Sequence, residues 1–447
     1  MSGYKRTWLF LFVFSDIHDS TASDFIRDTT INGVLYYSDI SEYQREPANS
    51  STYQMSMYQA TSAINLTLQS GYYRDFFGID AGYYQAQKIS DRKNTIDEVG
   101  MNNAQTVWDE TWEGNRSGGS LYKAHAKFKY HSYWLNAGYI APSGKTLVSS
   151  NWNISPGTYR GIESGANWNI FTHDKLSLAY FISDQYKAPW YTRFYSFRAM
   201  DRVTPISHIF SIGGSYQHDH WLAEAAYGQS KNYLEQYMWK LTYSPYTDKN
   251  TFKINYQIYI ANDKSTDNIY DGAAWLQGLS LSYQALPFDI LIEATQVNAP
   301  GNQGYFTTRL TPTYASSAGR MDFWWDSISD FNADGEKALF VEMKYSLSTL
   351  NLPNWSLGTS YAVGWGARPS TNLNYDQERR IHESAVGFYI KYELPDNQLF
   401  KGGNIKLRYV KYANHSGITS YSNGFNNTPQ DQNNVKLTIT LPFSLKN

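Results

Sequence analysis

The chain has 447 residues with 38 Lys and Arg against 40 Asp and Glu, so its formal net charge is −2 and no basic stripe points to a nucleic-acid partner. Cysteine is absent, which removes disulfides and thiolate metal sites. Charged residues make up only 17% of the chain while Tyr alone contributes 39, and the absence of any run of 18 apolar residues excludes membrane-spanning helices without excluding a barrel, whose inward half is polar.

The chain opens with Lys5 and Arg6, an apolar run from Trp8 to Phe14, and the small-x-small triplet Ser20-Thr21-Ala22. This order reads as an export signal over residues 1–22, with a disordered start as the alternative. Residues 23–447 then form one unit. From residue 28 onward the sequence breaks into segments in which bulky apolar and polar residues alternate, as in Phe252-Lys253-Ile254-Asn255-Tyr256-Gln257-Ile258 and Val341-Glu342-Met343-Lys344-Tyr345-Ser346-Leu347. A strand turns that period of two into one greasy and one wet face. Strands are predicted near 28–38, 57–70, 73–87, 118–130, 132–140, 157–169, 175–186, 206–217, 220–229, 231–245, 250–263, 270–284, 287–297, 336–348, 355–367, 378–394, 403–414 and 434–446. About eighteen strands satisfies the even number of bacterial single-chain barrels, and sixteen remains open if one has been split.

Connection lengths alternate as well. Tight turns fall near Gly71-Tyr72, His131, His218-Asp219, Thr247-Asp248 and Ala285-Leu286, and longer polar excursions at 39–56, 88–117, 141–156, 187–205, 298–335 and 415–433. Short periplasmic turns and long outer loops are the asymmetry of outer-membrane barrels. The final stretch, Val435 to Leu445, keeps its apolar parity for about 11 residues, enough for a tilted strand to cross hydrocarbon. Unpaired backbone groups cannot face lipid, so the first and last strands must pair. The expected fold is therefore all-β: a transmembrane antiparallel up-and-down β-barrel whose long outer loops partly fold into a lumen too wide for wall side chains to fill. Such a passage makes transport the first reading and catalysis the exception.

Several residues stand out as pore candidates. Lys123, His125, Lys127 and Lys129 occupy alternate positions and form a basic row on one parity, which would steer solutes unless acids such as Glu163 neutralise it. Glu163, Glu293 and Glu342 share the polar parity of their own strands and are expected to line the pore. The excursion 298–335 is rich in aromatics and acids, which disfavours disorder and suits a loop folded inward as a constriction. Tyr305, Tyr314, Trp324 and Trp325, faced by Trp152 from the 141–156 loop, would stack on sugar rings. Arg309, Arg320, Asp322, Asp326 and Asp330 would hold hydroxyl and acetamido groups. Asp330-Phe331-Asn332-Ala333-Asp334-Gly335 looks like half a calcium loop, but its twelfth position is Val341 and not Glu, so a tight polar turn is expected and no metal or cofactor. The histidines stand beside no nucleophile motif.

The same segments carry a family likeness. Gln303-Gly304-Tyr305-Phe306, Thr311-Pro312-Thr313-Tyr314-Ala315-Ser316-Ser317, Trp324-Trp325-Asp326 and Ser329-Asp330-Phe331-Asn332, with Ser120-Leu121-Tyr122-Lys123-Ala124, Pro156-Gly157-Thr158-Tyr159, Tyr186-Lys187-Ala188-Pro189-Trp190 and Tyr270-Asp271-Gly272, resemble the OprD-type porin family in its chitooligosaccharide-uptake branch. The likeness runs from about residue 24 onward. It implies an eighteen-stranded monomeric channel of the Gram-negative outer membrane for N-acetylglucosamine oligomers, set among outer-membrane lipid and lipopolysaccharide and inserted by the barrel-assembly machinery. Other branches imply small charged nutrients such as amino acids or carboxylates, and a barrel-anchored hydrolase or adhesin is the reading from a different class. Two features depart from the family: the chain closes on Leu445-Lys446-Asn447 with Phe443 as the nearest ring, and the signal segment is atypical.

Overall fold

The computed structural model describes residues 25–45, 51–92, 117–150, 157–189, 191–245, 250–312, 317–395 and 399–446. The strands are β1 (Thr30–Arg45), β2 (Tyr53–Gln69), β3 (Phe77–Arg92), β4 (Gly118–Tyr130), β5 (Tyr133–Ile140), β6 (Thr158–Phe171), β7 (Asp174–Lys187), β8 (Tyr195–Ser196), β9 (Ile209–His218), β10 (Trp221–Ser230), β11 (Leu234–Tyr243), β12 (Thr251–Asp263), β13 (Ala273–Ala285), β14 (Phe288–Asn298), β15 (Lys337–Ser346), β16 (Trp355–Ala367), β17 (Ile381–Glu393), β18 (Asn404–Ala413) and β19 (Gln432–Lys446). Each long strand pairs antiparallel with its neighbours, and β1 closes on β19 from Ile31↔Lys446 to Gln44↔Gln432. β8 is a two-residue ladder on the end of β7, so the barrel proper has eighteen strands.

Parity decides what each side meets. Leu35, Ile79, Ile212, Leu241, Leu279 and Leu407 are all exposed, and in register Leu35 faces Leu441, Leu279 faces Tyr256, and Leu407 faces Leu437. This outer belt has no protein to pack on, and hydrocarbon is the medium that accepts it. On the opposite parity of β19, Lys436 is buried and stands between Ile40 and Arg408 on the inner side. The largest buried cluster forms where loops lie against the inner wall, as where Phe306 and Phe323 join Tyr159, Phe181 and Leu276, while a smaller one, Ala63, Tyr84, Ala86 and Tyr122, comes from β2, β3 and β4 themselves.

The predicted elements need correction at their ends. β1 continues to Arg45 and β2 begins at Tyr53, so most of the 39–56 excursion is a hairpin extension, and β3 likewise runs on to Arg92. Beyond the bilayer both faces are wet, and the alternation that marks a strand inside lipid disappears there. β3 begins at Phe77, four residues later than expected, because Arg74 and Asp75 take left-handed φ values of 51° and 56° and form the turn. The connection from β10 to β11, on the long-loop side, spans only residues 231–233 and breaks the length alternation.

Candidate functional site

The segment between β14 and β15 folds into the lumen, and its two limbs are tied at the base. Ala299 N donates to Asp334 Oδ1 at 2.7 Å, Tyr305 and Ala333 form a bridge, and Phe306 N donates to Asn332 O at 2.9 Å. Gly304 and Gly335, with φ of 73° and 74°, supply the left-handed turns at the two ends. Asp334 also pairs with Arg368 at 2.9 Å, so of the two acids in Asp330–Gly335 it is Asp334 that is committed to loop geometry.

From this base the loop is fastened along the inner wall. On β11, Gln236 donates to Thr307 O at 2.8 Å and Arg309 O at 2.9 Å. On β6, Tyr159 Oη accepts from Ala318 N at 2.8 Å and donates to Ala318 O at 3.0 Å. Gly319 bridges to Val148, and a side chain there would collide with the Thr308 backbone. Arg320 then reaches Glu224 of β10 and Asp322, both at 2.9 Å, while Lys240 of β11 meets Asp322 at 2.7 Å. Burial alone would raise the Asp322 carboxyl, but Arg320 and Lys240 hold it below the usual carboxylate range. Farther round, Trp325 Nε1 donates to Glu293 of β14 at 2.6 Å, Asp326 pairs with Arg408 of β18, and Ser329 donates to Glu383 of β17 at 2.9 Å.

The candidates therefore separate. Arg309, Trp324, Trp325 and Asp330 come together around one cavity of about 530 Å³, with Asn332 beside them and Tyr421 and Asn427 contributed by the β18–β19 loop. Asn427 donates to Asp330 at 3.2 Å and to Asn332 at 2.7 Å. The exposed ring is Trp324, at 45%. Trp325 is buried, stacked on Phe340 with centroids 5.1 Å apart and planes 8° apart, so of the two indoles Trp324 has the open face and Trp325 is packed into the wall. Arg320 and Asp322 are likewise spent in fastening the loop. Tyr305 is half-buried at the base. Trp152 and Tyr314 lie outside the described residues.

Among the expected pore acids, Glu163 is buried and accepts Ser143 N and Oγ, at 3.0 Å and 2.6 Å from its Oε1, so it anchors the 141–157 loop and does not line an open passage. Glu293 is buried under Trp325. Glu342 is half-buried and accepts from Tyr389 Oη at 3.1 Å. In the basic row, the neutralising acid is Asp80 and not Glu163: it lies 2.7 Å from Lys127 and 3.6 Å from His125. Lys129 lies over the Tyr72 ring at 4.3 Å, 3.5 Å from Asp75. Lys123 faces Gly82 in register on the inward parity. Asp80, Glu224, Lys240, Tyr421 and Asn427 were missed: each sits on an ordinary polar position or in a loop, and only the barrel's closure brings them to the site.

A family model described as "outer membrane porin, OprD family" matches residues 23–445. The Escherichia coli K12 protein named chitoporin is 38% identical over 445 residues, covering 97% of this chain and 95% of that protein. Among solved structures, Acinetobacter baumannii OccAB1 superposes with a TM-score of 0.74 at 14% identity, covering 96% of this chain and 99% of that one. OccAB3 of the same organism gives 0.73 at 18%, and Pseudomonas aeruginosa OpdK 0.71 at 14%, each covering 94% of this chain and all of theirs.

Proposed function

Because this chain belongs to the OprD family of outer-membrane porins, we propose that its channel is selective for chitooligosaccharides, which diffuse through it toward the periplasm. The observation that carries the proposal is the inward loop, which crosses from β6 to β18 and presents the exposed Trp324 ring beside Arg309 and Asp330 in a single cavity. An indole face suits the C–H face of a pyranose. A guanidinium donates to an acetamido carbonyl, and a carboxylate accepts from its N–H. The solute passes between this loop and the facing inner wall, where Glu42 of β1 and Lys123 of β4 are half-buried on the inward parity. Binding stays weak, since a tightly held solute would not leave. The barrel acts as a monomer, surrounded by outer-membrane lipid and lipopolysaccharide and inserted by the barrel-assembly machinery.

Planar-bilayer recording tests the reading. Chitohexaose is expected to block the current transiently in a concentration-dependent way, and maltohexaose to leave it unbroken. Equal blocking by both, or blocking only by amino acids or carboxylates, overturns the sugar assignment.

A further inference from the structure

The outer belt is not smooth everywhere. On β9 and β10, Gly214, Ala223 and Ala225 place small residues side by side on the lipid-facing parity, with Ala225 opposite Gly214 and Ala223 opposite Tyr216. Leu178 of β7 rises on one side and Trp239 and Leu241 of β11 on the other, and the result is an apolar groove of about 670 Å³ on the barrel's outside. Ala225 lies four residues above Trp221, at the start of β10. At about 3.3 Å per residue along a strand tilted by about 40°, that is roughly 10 Å above the short-turn rim and within the periplasmic half of the bilayer.

The groove continues into a polar rim. Tyr216, which lines it, donates to Asp174 at 2.9 Å, and His218 Nδ1 lies 2.6 Å from the same carboxylate. In the neighbouring turns, His173 Nδ1 is 3.3 Å from Asp219, and His218 Nε2 is 3.7 Å from it. His173, His218 and Asp219 are exposed, with side-chain exposures of 71%, 55% and 47%. Trp221 and Tyr243, outward and 4.7 Å apart, mark this level as the membrane–water boundary.

We propose that this groove and rim bind one phospholipid with a phosphoethanolamine head, an acyl chain lying along Ala223 and Ala225 beside Leu178, which leans over Gly214, and the head resting on the rim. Hydrocarbon is the medium already present at this depth, and a flexible chain follows a concave floor. The belt of a second barrel, as convex as this one, meets Trp239 and Tyr216 before it reaches the floor. With their Nδ1 atoms turned to Asp219 and Asp174, His173 and His218 keep their Nε2 positions as N–H donors for a phosphate, and the Asp219 carboxylate accepts from an ammonium, so the rim complements a head carrying both charges. A head with phosphate alone leaves the carboxylate unmatched, and a quaternary amine offers it no N–H.

The test is native mass spectrometry of the full-length protein in detergent, titrated with phosphatidylethanolamine, phosphatidylglycerol or phosphatidylcholine. One phosphatidylethanolamine is expected to be retained, at least tenfold more tightly than either of the others. Ala225→Phe and, independently, Ala223→Leu fill the groove and are expected to reduce retention at least tenfold, while the heat-dependent gel shift shows that each still folds. Asp219→Asn is expected to erase the preference over phosphatidylcholine. Retention unchanged in both groove variants, equal affinity for the three lipids, or a protein dimer as the species that the groove variants disrupt overturns the proposal.

Discussion

Trp324 and Trp325 are neighbours in the chain with opposite surroundings, and the difference is measurable. Trp324 is exposed to the cavity, so Trp324→Ala removes a stacking surface worth about 1 kcal/mol, or roughly a fivefold weaker block by chitohexaose, with the open conductance preserved. Trp325→Ala instead empties the space against Phe340 and strips Glu293 of its indole donor. That change removes on the order of 3 kcal/mol from the loop's seat, and the expected result is increased noise in the open current, seen in sugar-free single-channel traces. The sequence named both rings but could not divide the roles. Loop 298–335 has no period of two, and which indole turns to the wall depends on Phe340 and Glu293, which stand on the two flanking strands and meet the loop only once it folds back between them.

The inward loop is held by ions as well as by aromatics. Arg320, Asp322, Glu224 and Lys240 form a largely buried network, and removing one partner strands the others. Arg320→Ala is expected to cost about 3 to 5 kcal/mol in the loop's anchorage and to raise single-channel conductance as the loop leaves the β10–β11 wall. The pH dependence follows from Asp322. Its carboxyl is held below the ordinary value of about 3.9, so the network's contribution is fully present above that pH and is lost as pH falls through the depressed value. Conductance is therefore expected to stay flat from pH 7 to about pH 5, with loosening confined to pH below about 4; a rise near pH 6 in the single-channel record would contradict the assignment. Strands were legible where lipid forces alternation, as from Val341 to Ser346. The extensions at 39–45 and 88–92 were not, because outside the bilayer pairing continues without an apolar face. The network was equally hidden, since Glu224 and Lys240 read as ordinary lumen polarity until the loop arrives.

At the scale of the whole molecule everything depends on one seam, where β1 and β19, the first and last strands, must find each other without a covalent turn. Near the rim of that seam Gly33 faces Phe443 on the outer parity, and the ring lies so close above the glycine that an added methyl would displace it. Glycine weakens a strand because it offers no side chain to pack, and an aromatic ring laid across it restores that contact. Phe443→Ala should therefore uncover Gly33 and lower the midpoint of the heat-dependent gel shift. Gly33→Ala alone should also lower it, by forcing the ring aside. In the Phe443→Ala background the same substitution has no ring to displace and supplies the missing methyl, so it should recover part of the loss, with a coupling of about 0.5 to 1 kcal/mol between the two positions. If Gly33→Ala destabilises equally in both backgrounds, the ring does not cover the glycine, and the seam is held by its backbone ladder alone.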